Sequence, residues 1–135
     1  MARRYGLREV KVHWGMFDYE AMVVIGPKDR LADYLGYQFE VPAKDLAGEV
    51  GDDFRAKIFH REGMASVIWL PDVRTPDQVA ALAHEMFHAV TKMMDHFGLT
   101  LSDESDEAYA HALSFGVRSV LESTPRTKGK GSCAR

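Results

Sequence analysis

The residues His84-Glu85-Met86-Phe87-His88 form the pattern H-E-x-x-H. On an α-helix, residues four apart differ by about 40° around the axis, so both imidazoles leave one face and can share one ion. Glu85 falls about 60° from His88, beside such an ion rather than on it, where a carboxylate serves as general base. Zinc is the cation this donor set suits. It lowers the pKa of its bound water towards about 7, and the carboxylate takes a proton as that water attacks a carbonyl. Four of the six histidines (His84, His88, His96 and His111) lie within this part of the chain. The single cysteine, Cys133, makes neither an internal disulfide nor a thiolate zinc site, which fits a reducing compartment.

Two histidines leave a zinc site short of a third protein donor. Downstream, Asp103-Glu104-Ser105-Asp106-Glu107 places four acids in five residues at a helix start, where they also complement the helix dipole. Ala108, Ala110, Ala112 and Leu113 follow, so Glu107 stands where that helix enters a core and its carboxylate needs a partner. Gly98 allows the chain to turn back between the two segments. Glu107 is therefore the expected third ligand, with Glu104 and Asp106 as alternatives. Glu104, Glu107, His111 and Ser114 share one face at helical spacing. His111 and Tyr109 are candidates for an oxyanion donor or for a group supporting a ligand, although each also reads as an ordinary helix residue. His96 suits the cation-favouring end of a helix, His13 and His60 suit a surface or strand, and Met86, Met93 and Met94 suit core filling.

On these residues the chain resembles the zincin metallopeptidases. The resemblance is to the gluzincin pattern, in which a glutamate on the next helix follows H-E-x-x-H. The stretch from His84 to Leu113 is also similar to small zincin-like proteins of bacteriophages and prophages, with Asp106-Glu107-Ala108 matching their third-ligand segment. The resemblance implies a zinc-dependent hydrolase acting on a peptide or protein. It also implies that the strand before the metal helix, here Ala65 to Leu70, is a sheet edge that pairs with extended substrate. A smaller likeness to the repressor-cleaving metallopeptidases of mobile elements lacks their Met-Pro ending, so that substrate class is not implied. A non-catalytic zinc-binding regulator is the alternative reading.

The remaining sequence must position these groups. At 135 residues, 46% hydrophobic and 27% charged, the chain has the composition of one globular domain, expected over 1–123. The net charge of −3 divides into +3 over residues 1–11, +4 over 124–135 and hence −10 between them. An acidic body does not suit nucleic acid. The basic segment 124–135 reads as a disordered tail. Apolar runs such as Met22 to Ile25 and Val67 to Leu70 are far shorter than a membrane span, and no secretory signal is visible, so a cytoplasmic protein is expected.

Tyr19 to Ile25 reads as a buried strand, Lys28 to Tyr37 as a short amphipathic helix, and 41–53 as loop. Phe54 to His60 and Ala65 to Leu70 read as a hairpin about Glu62-Gly63. Thr75-Pro76-Asp77-Gln78 is a capping box with proline at the first helical position. That helix is expected to reach Phe97 and stop at Gly98. A second helix starts at Ser102 or Ser105 and runs to about Glu122. The order predicts an α+β domain: a small, mostly antiparallel sheet packed on the H-E-x-x-H helix and the helix after it.

Overall fold

The computed structural model describes residues 2–51 and 53–125. After a 3-10 turn (Ala2–Tyr5) come two strands, β1 (Arg8–Trp14) and β2 (Tyr19–Ile25), paired antiparallel with Val10 opposite Val23 and Val12 opposite Ala21. The first was not expected. Its apolar residues occupy only alternate positions, so its signal is a half-buried alternation rather than an apolar run. Helix α1 (Leu31–Phe39) follows as predicted. The expected loop contains a 3-10 turn (Ala43–Leu46) and a one-turn helix, α2 (Ala47–Gly51), anchored by buried Leu46 and Val50.

Strands β3 (Lys57–Phe59) and β4 (Ser66–Leu70) form the expected antiparallel hairpin. The sheet order is β1-β2-β4-β3, with β2 and β4 parallel. The molecule is thus mixed α+β, with two of three strand pairings antiparallel. The expectation that Ala65 to Leu70 forms an edge is overturned, because β4 is an inner strand. All five of its residues are buried, as a strand covered on both faces and both edges requires. The free edges belong to β1 and β3.

Helix α3 (Pro76–His96) and helix α4 (Asp106–Ser123) cover one face of the sheet. The pleat sends Val10, Val12, Trp14, Ala21, Val23, Ile68 and Leu70 towards them. The opposite pleat sends Met22, Val24, Val67 and Trp69 towards Leu31, Tyr34, Leu35 and Phe39 of α1. Two cores therefore sit back to back across one sheet. Among the described residues no helix is long and apolar enough to cross a membrane. Most of the basic tail expected over 124–135, and Cys133 with it, lies outside the described residues.

Candidate metal centre

Helix α3 begins with the predicted capping box. Thr75 Oγ1 accepts from Gln78 N at 3.2 Å, and Gln78 Oε1 accepts from Thr75 N at 3.1 Å. It ends in a Schellman turn: Gly98, at φ 73°, donates to Asp95 O, and Leu99 N donates to Met94 O at 2.8 Å. These two ends fix which residues face the sheet. Leu82, Met86, Ala89, Val90, Met93 and Met94 are buried.

Met86 is fully buried. His84 and His88 lie two residues to either side of it, about 200° away in each direction, so they meet on the outer face. Their Nε2 atoms are 3.3 Å apart and their rings cross at 75° with centroids 5.0 Å apart. Two imidazole nitrogens on one tetrahedral zinc, each at about 2.0–2.1 Å, are separated by about 3.3–3.4 Å. The pair therefore has the spacing of two ligands on one ion. As neutral imidazoles, one ring's N–H donates to the other. Glu85 is half-buried, one step round the helix from the pair.

The other expected site residues fall elsewhere. An antiparallel helix pair joined by a short loop places α4 against α3 in a definite register, set where Gly116 meets Met86. A Cβ at 116 would stand 2.7 Å from Met86 Sδ and 3.1 Å from Trp14. Glu107 is nine residues before Gly116, about 13 Å along the axis and towards the C-terminal end of α3. It is exposed and lies 3.7 Å from His111 Nε2 on its own helix. The structure thus brings His84 and His88 together but does not bring Glu107 to them. Glu104 and Asp106 are also exposed near the start of α4. Among the described residues no three histidine, cysteine, aspartate or glutamate side chains form a ready-made metal group.

Tyr109 is buried, and its hydroxyl donates to Leu99 O at 3.1 Å, closing the loop between the helices. That bond occupies the group considered for an oxyanion. Ser105 sits at the N-cap of α4 without capping through its side chain; its hydroxyl donates back to Thr100 O. His96 is exposed at the end of α3, beside Tyr19 and Phe97. Met86, Met93 and Met94 fill the core.

One residue near the pair was read from the sequence only as surface or strand. His60 follows β3 and is half-buried, and its Nδ1 lies 2.7 Å from Oγ of buried Ser66. Burial first, then the nearby charges of Lys92 and His88, hold its pKa below the usual 6.5. The available signal was the hairpin itself, which brings residues 60 and 66 together across its turn.

Compared with known proteins, the chain matches no family model, no curated protein and no solved structure.

Proposed function

We propose that the chain is a zinc-dependent, metallopeptidase-like hydrolase whose metal site is built on His84 and His88. The 3.3 Å separation of their Nε2 atoms carries this reading, because it matches the spacing two ligands need on one ion. The capped, core-anchored helix supports it by holding both rings on one face. Bound zinc would acidify water and polarise a carbonyl. Glu85, half-buried on the neighbouring flank, would receive a proton at its carboxylate as water attacks a peptide carbonyl. The resemblance to zincins of phages and prophages points to a peptide or protein substrate and assigns the third donor to Glu107. Glu107 reaches the pair only if α4 leaves the register set at Met86, shifting along α3 by about two turns and round it towards the outer face.

A second reading has its own observation. Glu107 is paired with His111 rather than with the histidines of α3, which favours a zinc-binding interaction or regulatory protein without catalysis.

Zinc content and peptidase activity of the full chain test both readings. His84→Ala and His88→Ala should each abolish stoichiometric zinc binding, and retention of zinc by both variants would sink the metal site. Under the hydrolase reading, Glu85→Gln keeps zinc and lowers turnover by about 10²–10⁴-fold. Glu107→Ala then weakens zinc as strongly as either histidine variant. Under the second reading, Glu107→Ala leaves zinc affinity unchanged and Glu85→Gln has no effect on function.

A further inference from the structure

The four-residue interval that links His84 to His88 continues to Lys92 on the same face of α3. Lys92 is exposed, and among the described residues no carboxylate lies within 4.0 Å of its ammonium. It lines a groove of about 500 Å³ between the C-terminal half of α3 and the β3–β4 turn, with Tyr19, His60, Ser66, Asp95 and His96 among its walls. A volume of this order suits a few residues of bound peptide.

The polar groups of the groove differ in what they leave free. Ser66 engages Nδ1 of His60, so Nε2 is the ring atom His60 has to offer. Arg61 is committed to Glu49 and to the His60 carbonyl. Glu62 and Asp95 also line the groove, but Asp95 lies three residues further from His88 than Lys92 does. Among the groove's charged residues on α3, the one nearest the histidine pair is thus an uncommitted cation. The depressed pKa of His60 agrees, since Lys92 is close enough to oppose its protonation.

Lys92 is four residues from His88, about 6 Å along the helix, which is about two residues of extended peptide. We propose that the groove is a specificity subsite in which Lys92, with His60 beside it, receives a carboxylate of the bound peptide about two residues from the bond held at His84 and His88. This rests on the metal-site reading above. The carboxylate belongs either to an aspartate or glutamate side chain or to the peptide's own C-terminus.

The test is a titration of the zinc-loaded, full-length Glu85→Gln protein, followed by nuclear magnetic resonance, with three probes. These are acetyl-tetra-alanine with a free C-terminus, acetyl-tetra-alanine amide, and acetyl-Ala-Ala-Asp-Ala amide. One or both anionic peptides should bind about fivefold more tightly than the neutral amide, an advantage that shrinks in high salt. Lys92→Gln should erase the difference without changing zinc content. Whichever anionic probe shows the advantage identifies the source of the carboxylate. Equal binding of all three probes to zinc-loaded protein, or an advantage that survives Lys92→Gln, would overturn the subsite alone. Protein that takes up no zinc would overturn the metal-site reading, and the subsite with it.

Discussion

At the scale of single residues, His60 offers a measurable consequence of its surroundings. Burial, Lys92 and His88 all disfavour its protonated form in the folded state. The unfolded chain therefore binds the proton more readily, and the folded state loses stability as pH falls below about 6.5. Urea unfolding of chelator-treated protein at pH 7.5 and pH 5.5 should show a larger loss for the native sequence than for His60→Gln. An equal loss in both would mean that His60 does not feel those neighbours. The His84–His88 pair was legible in the sequence because it depends only on helical spacing. The place of Glu107 was not. It depends on where α4 meets α3, which is decided by Gly116, Met86 and Trp14, residues far apart in the chain whose packing no local pattern announces.

At the scale of elements, helix α3 owes its position to its ends as well as its buried face. Thr75→Ala removes the cap and should cost about 1 kcal/mol of stability in denaturant unfolding. Gly116→Ala tests the helix register. Alanine ordinarily gains about 1 kcal/mol over glycine within a helix. Here the added methyl would meet buried Met86 and Trp14, with an overpacking cost of about 1–3 kcal/mol, so net destabilisation is expected. Stabilisation by Gly116→Ala would show that Met86 or α4 gives way to the methyl, so that this contact does not fix the register. The predicted boundaries held best where chemistry is local, at Thr75-Pro76 and at Gly98. For β4 the boundaries also held, but its expected place at the sheet edge failed, because an apolar run announces burial and not which strands lie beside it. The β2–β4 pairing joins Ala21 to Ser66 across the whole α1–β3 excursion, and no short-range pattern encodes it.

At the scale of the whole molecule, one sheet separates two cores, and each contains one of the chain's two tryptophans. Trp14 lies in the core beneath α3 and α4 and donates from Nε1 to Ala112 O at 2.9 Å. Trp69 lies in the core beneath α1 and donates to Gly26 O at 3.0 Å. The protein thus carries a separate intrinsic fluorophore in each layer. In Trp14→Phe and Trp69→Phe variants, the remaining indole reports the melting of one side alone. Once each curve is corrected for the stability its own substitution removes, coincident emission transitions would describe a sheet that binds both layers into one cooperative unit. A lower transition seen only through Trp14 would mean that the helices carrying the histidine pair loosen while the opposite layer stays folded.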